Sequence, residues 1–124
     1  PQVLLLKQYR YAADGYLYEI PAGRLEPGEH PLECARRELR EETGCVATFL
    51  EPLLSAYTTP GFTDERLHLF AAHGITREET EFDADEYVEP FPAAMARALE
   101  MVRGGEIEDM KTMLGLLYVA GFYC

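Results

Sequence analysis

The chain has 124 residues, long enough for one buried core and too short for two, so a single domain over residues 1–124 is expected. Its 48% hydrophobic content excludes wholesale disorder. Acidic residues outnumber Lys and Arg by 22 to 11, giving a net charge of −11, which argues against nucleic-acid binding through phosphate neutralisation. In chain order, Val3 to Tyr9 reads as a buried strand, and Tyr16 to Ile20 as a second after the turn signal Asp14-Gly15. Pro21 to His30 is a loop punctuated by Gly and Pro. A helix then runs from Pro31 to Thr43: Pro31 suits the first turn, Gly44 the position just past the end, and Leu32, Ala35 and Leu39 form a core-facing stripe. Val46 to Tyr57 is strand-like, Pro60 to Asp64 a loop, and Arg66 to Ala72 a further strand. Thr76 to Asp85 is acidic and poor in core residues, hence an exposed loop, and Tyr87 to Phe91 is a short strand. Pro92 to Arg103 reads as helix, with Met95, Leu99 and Val102 on one stripe and Gly104-Gly105 ending it. Asp109 to Gly121 is a last helix with Met113, Leu116, Leu117 and Ala120 facing inward. Strands interleaved with helices predict an α/β fold, a mixed sheet between helical layers.

The longest apolar stretch, Met113 to Cys124, is too short to span a bilayer, and no signal-peptide pattern opens the chain, so no membrane association is expected. Cys34, Cys45 and Cys124 are odd in number and show no ligand spacing, which favours a reduced, cytoplasmic setting with all three as packing residues. His30, His68 and His73 likewise form no metal-spaced cluster.

The most informative stretch is GRLEPGEHPLECARRELREETGC, from Gly23 to Cys45. Glu38, Glu41 and Glu42 stand at i, i+3 and i+4, which on a helix stacks three carboxylates over one turn. Such like charges repel and call for a compensating partner; hard divalent cations, which prefer oxygen ligands, are natural candidates. A solvated acidic face is the competing reading. The carboxylates border the apolar stripe of their helix rather than lying opposite it, and charge at the edge of a core marks a site more often than a decoration.

This stretch resembles the Nudix box, the Gly, Glu, Arg-Glu-apolar-x-Glu-Glu-x-Gly-apolar signature of hydrolases acting on nucleoside diphosphates linked to another moiety. All fixed positions match; Cys45 departs slightly, standing where a larger aliphatic residue is usual. Tyr18 to Gly23 is similar to the Glu-x-Pro-Ala-Gly lead-in of the ADP-ribose pyrophosphatase branch, which implies substrate contact at Glu19 and a metal-ligand role for the Ala22 carbonyl. Gln8-Tyr9-Arg10 resembles that branch's Gln-x-Arg, making Arg10 a candidate for bidentate bonds to a diphosphate. Pro60-Gly61-Phe62-Thr63-Asp64-Glu65 resembles its Pro-Gly-x-Ser/Thr-Asp-Glu loop and makes Gly61 and Glu65 candidate substrate contacts. The run around Glu86 resembles the Asp-Glu-x-apolar-Glu segment that carries the catalytic base, with Glu81 and Glu89 as rivals for the role.

The resemblance implies a Nudix α/β/α sandwich and Mg²⁺-dependent hydrolysis of ADP-ribose to AMP and ribose 5-phosphate, with Mn²⁺ as a possible substitute. Glu38, Glu41, Glu42 and the Ala22 carbonyl would be the metal ligands. Glu86 would be the base, Glu41 and Arg37 the other members of the catalytic set, with Arg37 expected to lock the box by pairing with a carboxylate such as Glu29. Bound cations would also reverse the repulsion between an acidic protein and a phosphate-bearing substrate. A different nucleoside diphosphate sugar or dinucleotide is the rival substrate, and a nucleotide-sensing domain without turnover the rival class. The branch has several tens of residues before its Gln-x-Arg strand, whereas this chain opens on that strand. A segment upstream, or a partner at that edge, is therefore expected, and a homodimer is implied by the resemblance alone.

Overall fold

The computed structural model describes residues 2–78 and 88–123. Its contacts divide these into two compact units, one of residues 2–21 and 88–123, the other of residues 22–78. The class is mixed α/β, as the alternation of strand and helix signals predicts.

The first unit is built on a three-stranded antiparallel sheet. Strand β1 (Gln2–Arg10) lies between β2 (Gly15–Glu19) and β5 (Val88–Ala94). β1 and β2 form a hairpin that pairs Leu6 with Glu19 and Arg10 with Gly15. Its corner is a single 3₁₀ turn, Tyr11–Ala13, followed by Asp14 at φ 51°, a left-handed conformation that Asp tolerates better than most residues. Leu5 and Leu6 are consecutive and both fully buried, so the central strand is covered on both faces. Two helices complete the unit, α2 (Met95–Arg103) and α3 (Met110–Phe122). Leu5, Ala93, Ala98, Met101, Ile107 and Leu116 form its core. Burying each large apolar side chain of this set is worth about 1.5–3 kcal/mol.

The second unit holds helix α1 (Pro31–Thr43) and a long antiparallel ribbon of β3 (Cys45–Tyr57) and β4 (Arg66–Arg77). Pro31 opens the helix, and Gly44 closes it at φ 72° with its N–H bonded to the Arg40 carbonyl, so α1 has the limits expected. The ribbon slips by one residue at Leu53, directly after Pro52, which has no N–H to give to the ladder. Cys34, Leu39, Ala47, Leu50 and Leu69 are its buried apolar residues.

Three expectations are corrected. β4 runs five residues past Ala72, because β3 is long enough to pair with it from Cys45 opposite Arg77 to Tyr57 opposite Arg66. The segment from Pro92 to Ala94 is strand, not helix: Pro90 and Pro92 sit on β5 opposite Leu6 and Leu4, and an outer strand of a sheet is where Pro costs least. Leu117 is exposed, whereas Leu116 and Met113 pack in the core as expected, joined by the buried Thr112 and Gly115. That helix is apolar around most of its circumference, so its pattern cannot indicate which side faces the core.

Candidate functional site

In the second unit, α1 brings the box carboxylates to the loop that precedes it. The Glu42 carboxylate accepts the backbone N–H of Ala22 at 3.3 Å. Glu38 lies directly over Gly23, where an added Cβ would overlap its carboxyl group. Two carboxylates one turn apart on the helix therefore meet two adjacent residues of the loop. Glu41 is the exposed member of the triplet, whereas the Glu38 side chain is largely covered.

Arg37 ties this cluster together. Its guanidinium donates to both Glu29 oxygens at 2.9 and 3.0 Å, to Glu38 at 2.8 Å, to Glu41 at 3.2 Å and to the Arg24 carbonyl at 3.1 Å. The pairing with Glu29 expected from the sequence is present. Bonds from Arg37, and then from the Glu26 backbone N–H, hold the Glu29 carboxyl at about 2, well below its ordinary 4.5. The same bonds to Glu29 push the Arg37 guanidinium above its ordinary value. Cys34 is buried beneath the cluster, its Sγ 3.8 Å from the Arg37 guanidinium; burial, and then the Glu29 charge, push its thiol up, consistent with a packing residue.

Gly61 and Glu65 lie in the turn between β3 and β4. Phe62 and Thr63 both donate their N–H to the Thr59 carbonyl, and Thr58 donates its N–H to the Glu65 carbonyl. The Glu65 carboxylate accepts the Thr58 hydroxyl at 2.6 Å, and Gly61 sits at the exposed tip with open space around it.

In the first unit, Arg10 and Glu19 meet across the hairpin. The Arg10 fork donates to both Glu19 oxygens, at 2.7 and 2.8 Å, and Lys111 at the head of α3 donates to one of them at 2.6 Å. Glu19 is only 1% exposed. Burial pushes its carboxyl up, but the bonds from Arg10 and Lys111 outweigh that and hold it below the ordinary value. Lys111 also donates to Asp109, which caps α3 by accepting from the Thr112 N–H and hydroxyl, and the Thr112 hydroxyl in turn accepts the Ile20 N–H. Sequence reading missed Asp109, Lys111 and Thr112. The signal was an Asp three residues ahead of a Thr at a helix start, a capping pattern that reveals the helix but not the long-range partner of the Lys between them. Glu86 and its rival Glu81 lie outside the described residues; Glu89 is exposed on β5 opposite Lys7.

Among the described residues, no three carboxylate, Cys or His side chains converge as a preformed metal cage. Glu38 and Glu42 nonetheless bring carboxylate oxygens to Gly23 and Ala22, and Mg²⁺ binds through one or two carboxylates while keeping waters and taking substrate phosphates, rather than in an all-protein cage. The residues present fit such an ion.

A helix with a carboxylate triplet, packed against Ala22 and Gly23 of the loop before it and locked by Arg37, has the arrangement expected of a Nudix box. Residues 1–108 match the NUDIX domain, and the chain belongs to the Nudix family. It is 40% identical over 120 residues to the ADP-ribose pyrophosphatase of Bacillus subtilis strain 168, covering 95% of this chain and 65% of that protein. It is 39% identical over 126 residues to the GDP-mannose pyrophosphatase of Salmonella paratyphi B, covering 94% of this chain and 65% of the relative. A crystal structure of an ADP compounds hydrolase superposes with a TM-score of 0.86 at 22% identity, over 98% of this chain and 65% of that one, which shows a shared fold. The chain thus spans 65% of the length of these curated relatives.

Proposed function

We propose that this chain carries the catalytic box of a Mg²⁺-dependent pyrophosphatase that cleaves the diphosphate of a nucleoside diphosphate joined to a sugar, with ADP-ribose as substrate and AMP and ribose 5-phosphate as products. The observation that carries the reading is the seating of Glu38 and Glu42 on Gly23 and Ala22, which gathers hard oxygen donors at one loop. Glu38, Glu41, Glu42 and the Ala22 carbonyl would hold the ion. When bound, that ion would neutralise the diphosphate and lower the pKa of a coordinated water. Arg37 holds the carboxylates together and oriented, and its many bonds make it a lock of the box more than a substrate contact. Arg10 offers a planar guanidinium for bidentate bonds to phosphate oxygens, with Glu19 holding it from behind. Gly61 and Glu65 would approach the substrate from their turn, and Glu86 would accept the proton of the attacking water, a role worth about 10²–10⁴ in rate.

GDP-mannose is the second substrate reading, since this chain is 39% identical to a GDP-mannose pyrophosphatase and 40% identical to an ADP-ribose pyrophosphatase. The deciding experiment incubates the protein with Mg²⁺ and, separately, ADP-ribose, GDP-mannose, dinucleotides and nucleoside triphosphates, and identifies the products. AMP and ribose 5-phosphate from ADP-ribose are expected, abolished by EDTA. Glu38→Gln and Glu42→Gln should each lower turnover by roughly a hundredfold or more, the scale set by losing groups that stabilise developing charge. Full Mg²⁺-dependent turnover in both variants would sink the metal-site reading.

A further inference from the structure

Three alternate residues of the loop before α1 are tied to the box by their backbones. The Ala22 N–H is bonded to Glu42, the Arg24 carbonyl accepts from the Arg37 guanidinium at 3.1 Å, and the Glu26 N–H donates to the Glu29 carboxylate at 3.0 Å. Main chain anchored at every second position has its path fixed, so no ordering of this loop remains to be done when a ligand arrives. Arg24 directly follows Gly23, the seat of Glu38, which places its Cα about 3.8 Å from that of Gly23. Its side chain takes no part in the anchoring. Arg24 is exposed, and among the described residues its guanidinium makes no hydrogen bond and no ion pair. The nearby Glu26 and Glu29 carboxylates are turned to Arg37 instead.

We propose that Arg24 is a substrate-binding residue whose guanidinium takes oxygens of the diphosphate at the box. A planar guanidinium makes two parallel bonds to a phosphate, and an arginine with no carboxylate partner breaks no ion pair to form them. Arg37 cannot serve in its place. A guanidinium has five N–H donors, and those of Arg37 are already directed to Glu29 twice, to Glu38, to Glu41 and to the Arg24 carbonyl. Arg36 is also exposed, but at 3.6 residues per turn it stands about 160° round α1 from Glu38. Arg24 therefore brings a full set of donors to the loop on which Glu38 and Glu42 are seated, in a chain whose net charge of −11 otherwise opposes a phosphate-bearing ligand. This role rests on the reading of the box as a diphosphate site and calls on no group outside residues 22–78.

The test uses the full chain with Mg²⁺ and whichever of ADP-ribose and GDP-mannose is turned over. KM, kcat and Tm are measured for the parent, Arg24→Ala, Arg24→Gln, Arg24→Lys and Arg36→Ala. Equilibrium dialysis gives the Kd of the α,β-methylene analogue of the same substrate, which has carbon in place of the bridging oxygen and so reports binding without turnover. Arg24 is tied to Arg37 through its carbonyl, so replacing its side chain leaves the lock of the box in place and Tm at the parent value. Arg24→Ala and Arg24→Gln should each raise KM and Kd about tenfold, the low end for a charge-assisted hydrogen bond, with kcat within about twofold of the parent. Arg24→Lys should recover part of the loss, because it keeps the charge without the planar fork. Arg36→Ala should match the parent. Unchanged KM and Kd in the Ala and Gln variants overturn the proposal. So does an equal rise in Arg36→Ala, which would assign the effect to overall charge, and so does a fall in Tm alongside the rise in KM, which would make Arg24 structural. If the parent hydrolyses neither substrate, the proposed function fails first and the role of Arg24 falls with it. If Glu38→Gln abolishes turnover while the Arg24 variants keep the parent KM, the role of Arg24 fails and the proposed function stands.

Discussion

Gly23 has room for a hydrogen and nothing larger. A Cβ there would overlap the Glu38 carboxyl group, the far end of a flexible side chain, so the conflict can be relieved by rotating Glu38 away. Relief costs the ion pair that Glu38 makes with Arg37 at 2.8 Å, a partly exposed interaction of the kind that contributes little to stability. It also moves a proposed metal ligand by more than an ångström, a displacement that costs about a hundredfold in rate when it disturbs reacting groups. Gly23→Ala should therefore fold with nearly the parent Tm and lose most of its kcat/KM; parent-like kinetics would show that the Glu38 seat is not used. At this scale the box was legible, because its spacing is a property of the chain itself. The seat on Gly23 was not, because a close approach between a loop and a side chain fifteen positions later leaves no periodic trace. Nor was the immediate answer to the carboxylate repulsion, which among the described residues is Arg37, bridging Glu38 and Glu41 from the same helix.

Among the elements, α1 was legible to its last residue, since Pro31 and Gly44 are terminators that act locally. The start of α2 was misplaced because Pro92 reads equally well as a first helical residue and as an outer-strand residue, and pairing with β1 decides between them. α3 was recognisable by its beginning, and its buried side only in part: Leu116 and Met113 pack in the core, but Leu117 does not. Asp109 explains why the beginning matters twice. It caps the helix through the Thr112 N–H at 3.1 Å and the Thr112 hydroxyl at 2.6 Å, and it anchors Lys111. Asp109→Ala should cost about 1–2 kcal/mol in urea unfolding, the usual loss for such a cap, while Asp109→Asn should recover most of it because an amide oxygen still accepts the N–H. An alanine variant as stable as the parent would mean that α3 is held by its packing alone.

Over the whole molecule, charge sets the response to acid. Each unit buries or covers a carboxylate in a bond to Arg: Glu29 with Arg37 in one, Glu19 with Arg10 in the other. Both carboxyls are held below their ordinary value of 4.5, Glu29 to about 2. A depressed carboxyl contributes stability that is fully present above its unfolded value and is lost as pH falls through its native value, because the unfolded chain then binds protons the native chain refuses. For Glu29 that window runs from about pH 4.5 down to about 2. Above it, a second effect acts in the opposite direction: the net charge of −11 shrinks as ordinary surface carboxylates protonate, and self-repulsion eases. Tm measured by calorimetry should therefore hold or rise on acidification from neutral pH towards 4.5, then fall steeply below it. The Glu29→Gln variant separates the two effects, because it leaves the surface titration almost intact and removes the proton that Arg37 keeps away. Its Tm should be lower than the parent's at neutral pH, where the parent has the ion pair, and the two curves should converge as the pH approaches 2. Parallel curves over that interval would mean that the Arg37–Glu29 bond contributes nothing to stability, and that the acid response belongs to the surface charge.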